Sequence, residues 1–188
     1  MNKDRKLGGG RDGDLPEDHE ITIIDKFLPY PEFKNLQDVL YYRQDYMYHI
    51  HRSVAYDDDD KDVLWNWYGT HLFYESMAPS SKFWNLIQEH FIERMHEKFD
   101  LQCFYRVKAN FYPWTETLKT HPWHTDYYFP HKGALFSLNT CDGYTEFIDG
   151  TKVESVENRI MLFNPRVKHR STTTTNDKGR YNINFNYF

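Results

Sequence analysis

The residues best suited to chemistry lie in the segment HPWHTDYYF, residues 121–129. His124 and Asp126 are two positions apart, and alternate side chains of an extended chain point to the same side. One imidazole and one carboxylate placed in this way can bind a single metal ion. The chain holds 10 histidines, so a lone His-x-Asp pair also arises by chance and is a weak signal. His121 is an alternative ligand, but it precedes a proline and has no carboxylate two positions later.

Two downstream residues strengthen the pair. His169 follows several predicted strands, and Arg180 opens the last one. Two histidines and one carboxylate on one face of Fe(II) leave positions open for a bidentate 2-oxo acid and for dioxygen. The second carboxylate of such an acid needs a fixed cation, and arginine offers a two-pronged donor for it. Arg166 or Arg170 could supply this cation instead, and His169 by itself could be an ordinary strand histidine.

The elements that must position these residues are mostly short strands. After residue 101 the sequence alternates between β-like segments and turn signals. The segments are LQCFYRVKANFY, ALFSLN, YTEFI, KVESV, RIMLF, HRSTTTT and RYNINFNYF. Together with helices upstream, they predict a mainly β fold with N-terminal helices, in which an antiparallel sandwich or jelly roll packs against the helices.

The N-terminal part predicts a different organisation. Residues 1–18 are rich in glycine and charge and predict a flexible arm. Residues 19–188 are predicted to form one domain, with helical support and a substrate-facing region in 19–100 and the jelly-roll core in 101–188. One helix is expected after Pro31. A second is expected from a cap at Ser80 or Ser81 to Phe99, with His90 off its apolar stripe and facing solvent.

Composition narrows the function classes. Aromatic residues reach 18% of the chain, and rings with polar ends suit strands and pocket walls. The net charge of −5 argues against a protein whose affinity comes mainly from nucleic-acid phosphates. Cys103 and Cys141 do not demand a disulfide, and we find no signal peptide or membrane-spanning run. These features predict a cytoplasmic location without a membrane partner.

In their order and spacing, the motifs resemble the Fe(II)/2-oxoglutarate-dependent dioxygenases, a superfamily with a double-stranded β-helix (cupin-like jelly-roll) fold. The resemblance covers about residues 104–188. It rests on HTD (124–126), GYTEF (143–147), RIMLF (159–163), His169 and GRYNINF (179–185). The chain departs from the family in having Asp142 where a second glycine is common.

The resemblance implies the cofactors and their contacts. His124, Asp126 and His169 would bind Fe(II), and Arg180 would pair with the distal carboxylate of 2-oxoglutarate, with dioxygen as the oxidant. Tyr112 lies where the family often has a tyrosine that contacts 2-oxoglutarate. Asn110 and Asn182 are further candidates for contact with this co-substrate.

Two branches of the superfamily fit the sequence. The prolyl-hydroxylase-like group acts on peptides, proteins or amino acids. The nucleic-acid demethylases usually carry a second arginine where this chain has Asn186. That difference and the acidic charge favour hydroxylation of a C–H bond in a peptide, protein or amino-acid-like substrate, with a small molecule also open. Outside the superfamily, a metal-binding jelly roll without turnover would not need Arg180 and Tyr112, and an aromatic-lined binding module would not need the metal ligands.

Overall fold

The computed structural model describes residues 20–54 and 63–188, so the predicted arm at 1–18 lies outside the described residues. Within these ranges the elements follow in this order: β1 (Thr22–Ile24), α1 (Tyr30–Tyr42), β2 (His49–His51), β3 (Tyr68–Glu75), β4 (Ala78–Pro79), α2 (Trp84–Ile87), a π-helical turn (Gln88–Ile92), α3 (Glu93–Phe99), β5 (Phe104–Pro113), β6 (Lys132–Ser137), β7 (Tyr144–Phe147), β8 (Lys152–Glu154), β9 (Arg159–Phe163), β10 (His169–Ser171) and β11 (Gly179–Tyr187).

The strands form two antiparallel sheets. The larger has the order β1-β9-β6-β11-β5-β3-β2, with β4 paired to β3, and the smaller has the order β10-β7-β8. The segment before β6 runs beside β10, where Thr120 pairs with Thr172 and His124 with His169. A strand forms in each of the seven segments predicted after residue 101, and the prediction of a mainly β jelly roll is confirmed. In the N-terminal region, β2, β3 and β4 extend the large sheet beside the helices.

The two longest strands in the described ranges are β5 and β11. Each points one set of side chains toward the helices and the alternate set toward the inner face of the large sheet. Val107 and Ala109 of β5 and Ile183 and Phe185 of β11 belong to the core that the helices cover. The intervening residues of both strands are polar and point the other way, because side chains alternate along a strand. The sheet therefore uses one face for packing and leaves the other for a polar site.

The second helical segment differs from the sequence prediction in where it begins and in the burial of His90. Its apolar stripe is buried as predicted, but the helix begins at Trp84, and the Ser81 hydroxyl accepts a hydrogen bond from the backbone N–H of Phe83. His90, expected to face solvent, is only 2% exposed. Its Nδ1 lies 3.4 Å from a carboxylate oxygen of Glu32 on α1. The π turn, which contains His90, breaks the α-helical spacing that the prediction assumed.

The phenylalanine cluster between helix and sheet predicts a stability effect. Phe91 is fully buried, and its ring centroid lies 4.9 Å from that of Phe185 and 5.1 Å from that of Phe136. We expect Phe91→Ala to lower the free energy of unfolding by about 3–5 kcal/mol, measured by urea denaturation, because the cavity cannot fully collapse. Ile23→Ala, at a position 45% exposed, is the control. A loss below about 1 kcal/mol for Phe91→Ala would contradict this packing.

Candidate metal centre and co-substrate pocket

His124 and His169 are direct cross-strand neighbours. The His124 N–H donates to the His169 carbonyl at 3.0 Å, and the His169 N–H donates to the His124 carbonyl at 2.9 Å. Residues paired in this way carry their side chains on one face, and the two ring centroids are 4.7 Å apart. Asp126 follows two positions later, with its N–H bonded to the carbonyl of Pro165 at 3.0 Å. The ligand atoms of the three side chains all lie within 4.8 Å of one another.

Backbone carbonyls orient both imidazoles. The Nδ1 of His124 lies 3.2 Å from the carbonyl oxygen of Pro122, and the Nδ1 of His169 lies 2.8 Å from that of Val167. Each Nδ1 must carry a proton to donate to such an acceptor, which leaves Nε2 of each ring as the metal-binding atom. Burial, together with the neighbouring His169, lowers the pKa of His124 to about 4. The ring is therefore neutral at pH 7, as a metal ligand must be.

The Asp126 carboxylate is fixed by polar side chains of β5 and β11. Asn186 Nδ2 donates to one carboxylate oxygen at 2.7 Å, and Asn184 Nδ2 donates to the same oxygen at 3.3 Å. Arg106 Nη2 lies 3.4 Å from the other oxygen, and Arg106 Nε also donates to Asn186. Burial alone would raise the pKa of Asp126, but the Arg106 guanidinium and the neighbouring His169 and Lys108 hold it below its usual range. The carboxylate is thus ionised and held in one orientation.

The three side chains line a cavity between the two sheets. Its other walls come from β5, β6, β7, β9, β10 and β11, and include Asn110, Tyr112, Thr145, Ser171 and Asn182. Asn110 Nδ2 donates to Asn182 Oδ1 at 2.8 Å, while no described residue hydrogen-bonds Asn110 Oδ1. Asn182 and Asn184, which alternate along the last strand, both line this cavity, and Asn186 of the same face bonds Asp126.

Arg180 lies behind Thr145 and Tyr112 at the edge of this cavity. Its guanidinium is 1% exposed, and it donates to the Tyr144 carbonyl at 2.9 Å and to the Thr145 hydroxyl at 2.8 Å. Its Nε has no hydrogen-bond partner, and no carboxylate pairs with it within the described residues. A buried cation without an anion is costly, so this position favours an anionic ligand.

Gly143 allows Arg180 to occupy this position. A Cβ at residue 143 would lie 2.7 Å from Cδ of Arg180 and 2.7 Å from the backbone oxygen of Thr173, closer than real Cβ contacts. The preceding Asp142 accepts hydrogen bonds from the Thr174 hydroxyl and from the backbone N–H of Thr175. Asp142 therefore fixes a turn beside the pocket.

The alternatives named from the sequence lie elsewhere. His121 is buried, with its Nδ1 2.9 Å from the Ser171 hydroxyl, and is not part of the three-residue cluster. Arg170 is engaged by Glu146, with an Nη2–Oε2 distance of 2.7 Å, and lies over the ring of Trp123. Burial raises the pKa of Tyr112, so its hydroxyl keeps its proton as a donor.

Sequence analysis missed Arg106 and Lys108. Both lie on the polar face of β5, and Lys108 lines the cavity. The signal was present in the strand RVKANFY, where Arg106, Lys108, Asn110 and Tyr112 alternate with mostly apolar residues. The two tyrosines that follow Asp126 have different surroundings. The ring of Tyr127 packs against the Arg106 guanidinium, whose Cζ lies 4.8 Å from the ring centroid, whereas Tyr128 is exposed.

The architecture is that of known 2-oxoglutarate oxygenases. A 2OG-Fe(II) oxygenase family oxidoreductase from Burkholderia pseudomallei has a TM-score of 0.63 and 8% identity, over 89% of this chain and 84% of that chain. A prolyl hydroxylase from Trichoplax adhaerens, in complex with a hypoxia inducible factor peptide, has a TM-score of 0.60 and 15% identity, over 91% of this chain and 84% of that chain.

A third similar structure is HygX from Streptomyces hygroscopicus with nickel, 2-oxoglutarate and hygromycin B bound. It has a TM-score of 0.57 and 11% identity, over 90% of this chain and 82% of that chain. No protein-family model matches the sequence, and no curated protein matches it. At these identities the likeness shows a shared fold, so the predicted double-stranded β-helix is confirmed.

The structure also bears on the cysteines and on membrane-spanning helices. Cys103 and Cys141 are both free thiols. Across the described residues, no helix combines the length and apolar character that a bilayer-spanning helix requires.

The low pKa of His124 predicts a pH-dependent stability of the metal-free protein. An unfolded chain binds a proton at this histidine near pH 6.5, whereas the folded chain does so only near pH 4. Between these values the unfolded state holds more protons, so the free energy of unfolding falls as the pH is lowered. The full shift corresponds to about 3 kcal/mol.

Urea denaturation in EDTA at pH 7 and pH 4.5 measures this effect. We expect His124→Gln to lose less stability than the wild type over this interval, by about 2–3 kcal/mol. His96→Gln, which removes an exposed histidine, should behave like the wild type. Equal losses in the wild type and His124→Gln would contradict the assignment of a depressed pKa to this residue.

Proposed function

We propose that this protein is an Fe(II)- and 2-oxoglutarate-dependent oxygenase that hydroxylates a C–H bond. The observation that carries the proposal is a metal-ligand cluster in a cavity together with a buried cation behind the wall of that cavity. His124, Asp126 and His169 converge there, and the buried Arg180 cation lies behind the cavity wall without a carboxylate partner among the described residues. The first feature suits a metal with open positions, and the second suits the far end of a dicarboxylate.

The chain's own residues have defined tasks in this proposal. Nε2 of His124, Nε2 of His169 and a carboxylate oxygen of Asp126 would hold the metal. Arg180 would bind the distal carboxylate of 2-oxoglutarate, and the protonated hydroxyl of Tyr112 would donate to the same co-substrate. When bound, iron and 2-oxoglutarate supply the oxidising chemistry, in which dioxygen yields succinate, carbon dioxide and a hydroxylated substrate.

The pocket walls would protect this chemistry from water. Phe163, Leu135 and Tyr112 contribute apolar surface to the cavity. Apolar walls exclude bulk water from a reactive centre and strengthen the electrostatic interactions within it. Asn110 and Asn182 offer amide groups at the cavity surface, and Oδ1 of Asn110, which has no partner among the described residues, would accept a hydrogen bond from a ligand.

For the substrate, we favour a peptide, a protein or an amino-acid-like molecule. One structural neighbour was solved with a hypoxia inducible factor peptide and another with the small molecule hygromycin B. Asn186 stands where the nucleic-acid demethylases usually carry an arginine, and here it bonds Asp126. That use of the position, with the net charge of −5, disfavours a nucleic-acid substrate.

Anaerobic titration with Fe(II) and 2-oxoglutarate tests the proposal. We expect a visible charge-transfer band in the wild type and succinate release on admission of air. Asp126→Ala should abolish both while its circular dichroism stays unchanged. A protein that binds metal but gives neither band nor succinate would be a non-catalytic metal-binding jelly roll, and the oxygenase proposal would be wrong.

Arg180→Gln tests the co-substrate assignment separately. A charge-assisted hydrogen bond contributes about 1.5–3 kcal/mol, so we expect the affinity for 2-oxoglutarate to fall by about 10- to 150-fold. Metal affinity should stay near that of the wild type. The matched control is Arg170→Gln, whose guanidinium is already paired with Glu146. A loss in Arg170→Gln with no loss in Arg180→Gln would move the role to Arg170.

A further inference from the structure

Lys108 gives the cavity a second cation that the proposed chemistry does not use. We propose that Lys108 binds a carboxylate of the primary substrate, so that the enzyme selects anionic substrates. This inference rests on the oxygenase function proposed above and names its substrate class. It is carried by the position of Lys108, by the lack of an anion bonded to it, and by the aromatic surface beside it.

Lys108 lies on the inner face of the large sheet. It lines the same cavity as His124, Asp126 and His169. On β5 it occupies the same face as Tyr112, and it pairs with Asn184 of β11 on one side and with Leu72 of β3 on the other. It therefore stands between the candidate metal ligands and the outer strands β3 and β2.

Lys108 has no anionic partner in the described structure. No hydrogen bond or ion pair joins its ammonium group to another described residue. Asp126 acts on it electrostatically but is already bonded by Arg106, Asn184 and Asn186. Glu75, the other carboxylate that acts on it, is exposed to solvent. Burial and the neighbouring Arg106 lower the pKa of Lys108 to about 7, and a carboxylate bound beside the amine would favour its charged form. An amine held this close to a cavity, without a bonded anion, is positioned to bind an anion from a ligand.

An aromatic wall flanks the ammonium group on its outer side. The Lys108 Nζ lies 5.8 Å from the ring centroid of Tyr68. The Tyr68 ring stacks on that of Tyr112, with centroids 6.0 Å apart, and contacts the tilted ring of the exposed His51, with centroids 4.9 Å apart. Burial raises the pKa of Tyr68 to about 12, so its hydroxyl keeps its proton as a donor. The wall leads from the candidate co-substrate contacts to the protein surface, as an entry path for a substrate should.

The geometry favours the substrate over 2-oxoglutarate as the ligand of Lys108. Its Cα lies about 13 Å along β5 from that of Tyr112, because each strand residue advances the chain by about 3.3 Å. Tyr112 and Arg180 are adjacent cross-strand partners at the other end of the cavity. In the proposed function the distal carboxylate of 2-oxoglutarate would bind there, whereas Lys108 lies beside β3, where it pairs with Leu72.

Matched neutral and anionic probes test the proposal. The first set pairs N-acetyl amino acids with their amides. The second pairs the N-acetyl amides of Asp and Glu with those of Asn and Gln, which separates side-chain from main-chain carboxylates. Wild-type protein loaded with Ni(II) and 2-oxoglutarate is treated with an amine-acylating ester, and acylation of Lys108 is measured by mass spectrometry. We expect at least one carboxylate probe to slow this acylation at least 5-fold more than its neutral partner.

Turnover gives the second readout. In the Fe(II) enzyme, we expect the protecting carboxylate to stimulate succinate release more than its neutral partner. Lys108→Gln should abolish that preference and raise the KM for the carboxylate at least 10-fold, while the affinity for 2-oxoglutarate changes less than about 2-fold. Lys98→Gln, an exposed position on α3, should leave all three quantities unchanged.

Three results would overturn the assignment. The first is that no carboxylate probe protects Lys108 better than its neutral partner does. The second is that Lys108→Gln keeps the preference for the anion. The third is that Lys108→Gln weakens 2-oxoglutarate binding as much as Arg180→Gln does. The last result would make Lys108 a co-substrate residue. Failure of the oxygenase proposal gives a different result, namely the absence of the charge-transfer band from the wild type. Protection of Lys108 is measured without turnover, so the two failures can be told apart.

Discussion

The antiparallel pairing of β5 with β11 is the constraint on which both the core and the candidate site depend. Its register sets four cross-strand pairs on the inner face: Arg180 with Tyr112, Asn182 with Asn110, Asn184 with Lys108, and Asn186 with Arg106. The residues between them face the helices and are mostly aromatic or aliphatic. A slip of one residue would bury the polar set under the helices and turn the rings into the cavity. The apolar core therefore fixes the register of the polar site.

A second backbone pairing completes the site from the opposite sheet. The reciprocal hydrogen bonds of His124 and His169 bring the two imidazoles together, and polar side chains of β5 and β11 hold Asp126 against them. The candidate centre is thus assembled from two sheets, each of which also contributes to a hydrophobic cluster. Preorganisation of this kind lowers the cost of binding a ligand, because the ligand does not have to order the side chains.

The sequence predicted the elements better than it predicted the contacts. Alternating patterns located the strands after residue 101, and the order of His124, Asp126, His169 and Arg180 predicted residues that the fold brings to one cavity or its edge. It could not predict Lys108, because a lysine within a polar face of a strand reads as solvent-exposed until the neighbouring sheet is known. The buried state of His90 was also beyond a pattern that assumes 3.6 residues per turn, since a π turn changes the spacing.

The charges around the cavity argue for what it binds. Asp126 is balanced by Arg106, so the cluster itself is close to neutral. Arg180 and Lys108 then remain without a bonded carboxylate among the described residues, and Lys108 lies two cross-strand pairs along the polar face from Arg180. Burying an unbalanced cation destabilises a fold, and burial lowers the pKa of Lys108 to about 7. Ligands that bring negative charge would stabilise the charged form of both side chains. A dicarboxylate at Arg180 and an anionic substrate at Lys108 would supply this charge.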